Sequence, residues 1–261
     1  MLYIKKHTDI PQEIVDALNA AKENCKERLA NGDSKAARNA FDDLLVKDRI
    51  RECLIQEQHG LCAYCMKDIR EKARIEHWRS LSKNTQDALD YKNMLLVCYG
   101  GEIAEEPVEA INGKDRRTLC CDASKGNKDI VLNPCNMEHA IKIRYDEEDL
   151  FIYTKPHDER LEYDINDVLH LNGIKRENGG FSDTKTNLVY HRREAYRSYK
   201  SHIENLRQKY KTPEEIHMAI KKKIAAIEDA ETYPPFAGVL LYFLKRDLRQ
   251  CERRIKSHQK D

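Results

Sequence analysis

The feature that most limits how this chain can fold is a spaced set of cysteines. Cys62 and Cys65 form a Cys-x2-Cys knuckle, Cys98 closes the apolar run Met94-Leu95-Leu96-Val97, and Cys120 and Cys121 stand side by side. Two thiolates on one tight loop point at a common centre, which suits tetrahedral zinc. Cys98 adds a third ligand, and the Cys120–Cys121 pair supplies the fourth across an insertion over residues 99–119. The competing reading is a group of buried, redox-inert thiols. Disulfides are not expected. The opening Met-Leu-Tyr-Ile-Lys-Lys-His lacks a signal-peptide core, and no apolar run is long enough to span a bilayer. A cytoplasmic protein is therefore expected. Cys25, Cys53 and Cys251 fall on helical apolar faces and read as small buried hydrophobes.

A zinc clamp matters for its neighbours. A hairpin of this size buries too little apolar area to be rigid alone, and metal-binding free energy becomes folding free energy. Between the knuckle and Cys98 lie Ile75-Glu76-His77-Trp78 and then Tyr91-Lys92-Asn93. Asp122 follows the cysteine pair. In a regular strand Glu76 and His77 point to opposite faces, so a shared site requires a bend at the strand end. The polar stretch over residues 79–90 leaves room for one. Asn93, at the start of the returning strand, is placed to hold that loop shut or to fix the histidine ring, an orienting role. Two carboxylates, Glu76 and Asp122, suit a hard divalent cation such as Mg²⁺ or Mn²⁺. A neutral histidine suits a general base near pH 7. Together these are the needs of phosphodiester hydrolysis. Lys125, Arg74, Arg79 and Lys83 are placed to contact phosphates. Trp78 is read as a base-stacking or core residue.

These residues resemble the HNH nuclease motif flanked by zinc knuckles. More narrowly, Cys-x-Tyr-Cys, Ile-Glu-His, Asn-Met-Leu-Leu-Val-Cys and Cys-Cys-Asp-x-x-Lys-Gly-Asn look like the PtuB-type HNH proteins of Septu and some retron-associated antiphage systems. The likeness covers roughly residues 55–135. It implies that His77 is the general base, Asn93 the structural asparagine, and Glu76 and Asp122 the ligands of a catalytic Mg²⁺ or Mn²⁺. It also implies structural zinc on Cys62, Cys65, Cys98 and Cys121, with Cys120 as a possible substitute. Asp122 stands where the family usually has His or Asn. The resemblance further implies a nucleic-acid endonuclease, an antiviral effector that acts with a PtuA-like ATPase partner. This chain has no glycine-rich phosphate loop followed by Lys-Ser/Thr, so any nucleotide requirement belongs to the partner.

The expected fold class is α+β, mostly helical. A central ββα-metal module over residues 59–190, with an insertion and an extra hairpin, is flanked by helical segments at 1–58 and 191–261. The first ten residues read as a short strand and turn. A helix from Pro11 to about Ala30 and a second one ending before Gly60 make a helical hairpin. A short helix after Asp122 is expected to end at Asn133-Pro134. Ile141 to Tyr145 and Leu150 to Tyr153 read as a hairpin that extends the sheet. Cys135 and His139 are read as packing residues rather than extra ligands. Residues 155–190 read as a mixed loop with a tip at Asn178-Gly179-Gly180. Thr212-Pro213-Glu214-Glu215 is a capping box, and Leu241, Leu244, Leu248, Cys251 and Ile255 form a helical stripe. Basic residues outnumber acidic ones from Arg192 onward, yet the whole chain carries a formal charge of only +1, so nucleic-acid contact must come from local patches. DNA is the first expected substrate. RNA, including tRNA, is the enzymatic alternative, and a non-catalytic zinc-stabilised binding module is the alternative from another class.

Overall fold

The computed structural model describes residues 1–33, 35–81, 87–102, 118–177 and 179–258. The protein is α+β, with helices at both ends and three small antiparallel two-stranded sheets between them.

Helix α1 (Gln12–Ala30) starts after Pro11 and turns Ile14, Leu18 and Cys25 inward. It stops at Asn31-Gly32, where Gly32 takes φ +84°. The single helix expected next is two. Helix α2 (Ala36–Asp42) and helix α3 (Lys47–Glu57) are separated by a turn in which Leu44 N donates to Phe41 O at 3.2 Å. The turn lets Phe41 and Leu44 reach the core together and leaves Leu45 almost wholly exposed. No strand forms over residues 1–10. Side chains hold this segment instead: Lys6 Nζ donates to Glu57 Oε2 at 2.7 Å and to Met94 O at 3.0 Å, and His7 N donates to Glu57 Oε1 at 2.7 Å.

Strands β1 (Arg74–His77) and β2 (Met94–Val97) pair antiparallel, with Glu76 opposite Leu95 and His77 opposite Met94. Every residue of β2 is buried, as its unbroken apolar sequence requires. Helix α4 (Cys121–Lys125) follows, and it is shorter than expected: Gly126, at φ +54°, ends it well before Asn133-Pro134. Helix α5 (Met137–Lys142) leads into β3 (Ile143–Tyr145), which pairs with β4 (Ile152–Thr154). This hairpin is a sheet of its own rather than an extension of β1–β2. Within the region expected as loop, helix α6 (Glu159–Tyr163) runs into a π turn (Asp164–Val168), and β5 (Ile174–Lys175) pairs with β6 (Phe181–Ser182). Of the expected tip, Asn178 lies outside the described residues.

Helices α7 (Leu188–Lys209), α8 (Pro213–Glu228) and α9 (Ala237–His258) complete the chain. Thr212 and Glu215 form the capping box of α8, with Glu215 N donating to Thr212 Oγ1 at 3.2 Å and Thr212 N to Glu215 Oε2 at 3.1 Å. Ile220, Ile224 and Ile227 of α8 and Leu241, Leu244 and Cys251 of α9 are buried. One hydrophobic core runs from Met1 and Ile4 through β2 to Cys251, so the three sequence segments share their interior. Among the described residues, no helix is long and apolar enough to cross a membrane.

Candidate metal centre and the neighbouring acid–histidine site

The cysteine knuckle sits on a tight turn. Cys62 N donates to Lys67 O at 2.8 Å, Met66 N to Cys62 O at 3.0 Å, and Ala63 N to Leu96 O at 3.1 Å. The last bond fixes the knuckle to β2, which Cys98 directly follows. The chain then turns through Gly100, at φ +61°, and Cys120 N donates to Gly100 O at 2.9 Å. A Cβ on Gly100 would stand 2.1 Å from Cys120 O. Only glycine lets these two backbones approach so closely, and their approach delivers Cys121 to the knuckle.

The Sγ atoms of Cys62, Cys65, Cys98 and Cys121 lie within 4.8 Å of one another, and all four residues are buried. Cys65 Sγ is 3.7 Å from Cys98 Sγ, and Cys62 Sγ is 4.0 Å from Cys121 Sγ. A zinc ion with Zn–S bonds of about 2.3 Å puts sulfurs at the corners of a tetrahedron roughly 3.8 Å apart. The spacing therefore fits zinc, and all nine cysteines are free thiols. Cys98 N lies 3.4 Å from Cys62 Sγ, where an N–H donor steadies a thiolate. Cys120 stands at the edge of this group: its Sγ is 3.2 Å from Thr186 Oγ1, and it also interacts with the thiols of Cys98 and Cys121. These four buried cysteines can hold a structural metal such as zinc.

The same scaffold carries the acid–histidine site. Strand β1 ends at His77, and Trp78 N donates to Asn93 O at 2.9 Å. Asn93 is buried and closes the loop between the strands. Its Oδ1 accepts from Arg79 N at 2.8 Å, and its Nδ2 donates to Arg79 O and Asp87 O, both at 3.1 Å. The loop in turn presents Ala88 O, 2.9 Å from His77 Nε2. A carbonyl can only accept, so Nε2 carries the ring proton and Nδ1 is the basic nitrogen of the neutral ring. Phe41 from α2 packs against the imidazole with its centroid 4.5 Å away at 85°. Burial lowers the His77 pKa to about 4, so the ring is neutral at pH 7.

Glu76 is buried and faces Lys125 of α4, whose Nζ donates to Glu76 Oε1 and, at 3.0 Å, to His77 O. The Asp122 carboxylate is close enough to act on Glu76 directly. Burial first, and then this neighbouring negative charge, push the Glu76 pKa well above the usual carboxylate range. Asp122 in turn pairs with Arg74 of β1: Arg74 Nε is 2.9 Å from Asp122 Oδ2, and Arg74 Nη1 is 2.6 Å from Glu102 Oε2. Two acids thus meet, each against a cation of the protein itself. His77 follows Glu76 on β1 in regular register, so its ring turns to the other side, against Phe41 and Ala88 O, where the charge of Asp122 is felt only weakly.

The residues expected to contact phosphate are placed differently from one another. Lys125 is turned inward, only 2% exposed, and in this arrangement it neutralises Glu76 instead of reaching solvent. Arg74 is partly buried between Asp122 and Glu102. Arg79 is open to solvent, 5.5 Å over the Trp78 ring and 3.0 Å from Asp87 Oδ2. Lys83 lies outside the described residues. Trp78 is half-buried, its Nε1 donating to Leu132 O at 3.0 Å. Cys135 is half-buried, and His139 Nδ1 accepts from Asn133 N at 3.1 Å.

Beside the site lies a cleft of about 950 Å³, bordered by Lys67, Lys72, Tyr99, Gly101, Glu102 and Lys185. Glu102 lines this cleft and also holds Arg74, so cleft and acid pair share a wall. Sequence reasoning passed over Glu102, which opens the insertion with no motif around it. It quoted Tyr64 within the Cys-x-Tyr-Cys motif but gave it no role; its buried hydroxyl has no hydrogen-bond partner and lies in the field of Glu76 and Asp122. Among the described residues, the cysteine group is the only cluster of three or more potential metal ligands, so a cation at Glu76 and Asp122 would draw on two protein ligands. No family model matches the sequence, and no curated protein matches it.

Proposed function

We propose that the chain is a metal-dependent endonuclease of the HNH type that hydrolyses nucleic-acid phosphodiester bonds, DNA before RNA. The observation that supports this reading is that a neutral His77, held at Ala88 O, follows in sequence a Glu76 whose carboxylate meets Asp122, on a hairpin and helix that also bring four cysteines together. Each residue has a task. His77 Nδ1 takes the proton of the attacking water, since Nε2 is committed to Ala88 O. The new P–O bond forms as the bond to the leaving oxygen breaks, and that oxygen recovers a proton from solvent. Asn93 holds the loop that holds the ring, so it positions the base without touching substrate. Glu76 and Asp122 are the oxygen donors for Mg²⁺ or Mn²⁺, which when bound relieves charge on the phosphoryl oxygens. Cys62, Cys65, Cys98 and Cys121 hold structural zinc, which keeps hairpin and helix in register. The cleft mixes Lys67, Lys72 and Lys185 with Asp68, Glu71 and Glu102, so individual lysines rather than a net positive field would meet the phosphates. In keeping with the resemblance to PtuB-type proteins, the activity serves antiphage defence together with a PtuA-like ATPase.

One observation favours the second reading, a zinc-stabilised binding module without catalysis: Glu76 and Asp122 already have cationic partners in Lys125 and Arg74. A cleavage assay on labelled DNA and RNA with Mg²⁺ or Mn²⁺, with and without the ATPase, separates the two. Cleavage of either polymer supports the nuclease. Silence on both, even with the ATPase present, supports the binding module.

A further inference from the structure

The two cations at the acid pair are not equivalent. The Lys125–Glu76 pair is dry, with side chains 1% and 8% exposed, and Lys125 is tied to the backbone at His77 O as well. The Arg74–Asp122 pair is wetter, at 28% and 19%. It is also incomplete. Arg74 Nη1 is committed to Glu102, but Nε and Nη2 are buried and make no hydrogen bond, although Nε is 2.9 Å from an Asp122 oxygen. Leaving buried donors unused is costly, so this contact is held by charge and not by a fitted hydrogen-bond pair. Arg74 also has an alternative home. Glu102 already binds one end of the guanidinium, and the Tyr99 ring lies 5.3 Å from its centre. Losing Asp122 would not leave the charge unmatched.

We infer that Arg74 is a placeholder for the catalytic cation: it neutralises Asp122 in the metal-free state and yields that carboxylate, leaning onto Glu102, when a divalent ion binds. Lys125 keeps its place throughout. This rests on the two-carboxylate metal site proposed above, and it makes Arg74 a determinant of metal affinity. Glu102 helps by giving the displaced guanidinium somewhere to go.

The test is Mn²⁺ binding to the zinc-loaded full chain, followed by electron paramagnetic resonance, for wild type, Arg74→Gln, Glu102→Gln and Asp122→Asn. Removing the placeholder should tighten Mn²⁺ binding roughly three- to tenfold, the scale of a partly exposed ion pair. Glu102→Gln should do the reverse by about threefold, because Arg74 then has only Asp122 to lean on. Asp122→Asn should weaken binding strongly. Opposite signs at Arg74 and Glu102 are not what general loosening of the fold would give. Equal Mn²⁺ affinity in wild type, Arg74→Gln and Glu102→Gln would overturn the placeholder and leave the metal site standing. No Mn²⁺ binding in any variant would remove the metal site and the placeholder with it.

Discussion

The cysteine cluster and the acid–histidine pocket lie side by side on the same hairpin, but they are built on opposite terms. At the cluster, four buried sulfurs face one another at 3.7 and 4.0 Å across two of their pairs, and the buried Arg192 guanidinium is near enough to feel the charge of Cys65. At the pocket, two carboxylates each have a cation of the protein beside them. A metal held by the first arrangement would make binding and folding one equilibrium there. The second already has its cations, so a metal proposed there would have to compete for the two carboxylates. The comparison teaches that four clustered thiols can hold a metal without displacing an ion pair, whereas a metal at the acid pair would have to displace one.

The sharpest way to break that contrast is to remove one cluster ligand. Cys121→Ser should abolish zinc binding and lose the cooperative unfolding transition of the central module, because zinc at such sites contributes on the order of 10 kcal/mol. Cys120→Ser should retain about one zinc per chain, since the four-sulfur group is complete without it. Metal analysis with thermal unfolding reads both, and equal zinc loss in the two variants would erase the distinction. At the pocket, Lys125→Met leaves Glu76 as an unpaired buried carboxylate and should cost about 3–5 kcal/mol. Lys125→Met with Glu76→Leu should recover most of it, which urea unfolding measures. A weaker lever is pH. His77 has a folded pKa of about 4, below its ordinary 6.5. The unfolded chain therefore binds the extra proton between these values. Its contribution, up to about 3 kcal/mol, is full above pH 6.5 and lost as pH falls toward 4. Glu76, shifted upward, acts with the opposite sign, so the useful quantity is the difference in slope between wild type and His77→Gln. Equal slopes would place the ring in water. Smallest in stability but not in activity is Asn93→Ala, which removes three bonds around the loop and should cost about 1–3 kcal/mol. It should lower cleavage more than it lowers Tm, because the loop orients His77.

What was legible in the sequence follows the same division. The Cys-x2-Cys knuckle, the buried run ending at Cys98, the capping box at Thr212 and the α9 stripe are local patterns, and each lies where local rules put it. Choosing between Cys120 and Cys121 was not a local matter. It depends on the close backbone approach at Gly100, across a long insertion. The inward turn of Lys125 and the grip of Glu102 on Arg74 are tertiary as well: a lysine near an acidic residue in sequence looks the same whether it meets a phosphate or a buried carboxylate. The short helix α2 before α3 and the π turn after α6 were also hidden: Asp164–Val168 are poor helix formers, and tertiary packing rather than propensity holds that turn. The first residues looked like a strand but are held by Glu57, a partner that alternation cannot reveal.

The central claim is that this pocket hydrolyses phosphodiesters with His77 as base on a zinc-clamped scaffold. Its most direct test is Mn²⁺-dependent cleavage of labelled DNA and RNA by wild type and His77→Ala, with zinc content and Tm recorded on the same samples and the ATPase present. The account predicts cleavage by wild type, at least a hundredfold less by the variant, and unchanged zinc in both. Cleavage at the wild-type rate by a folded, zinc-loaded His77→Ala protein would contradict it.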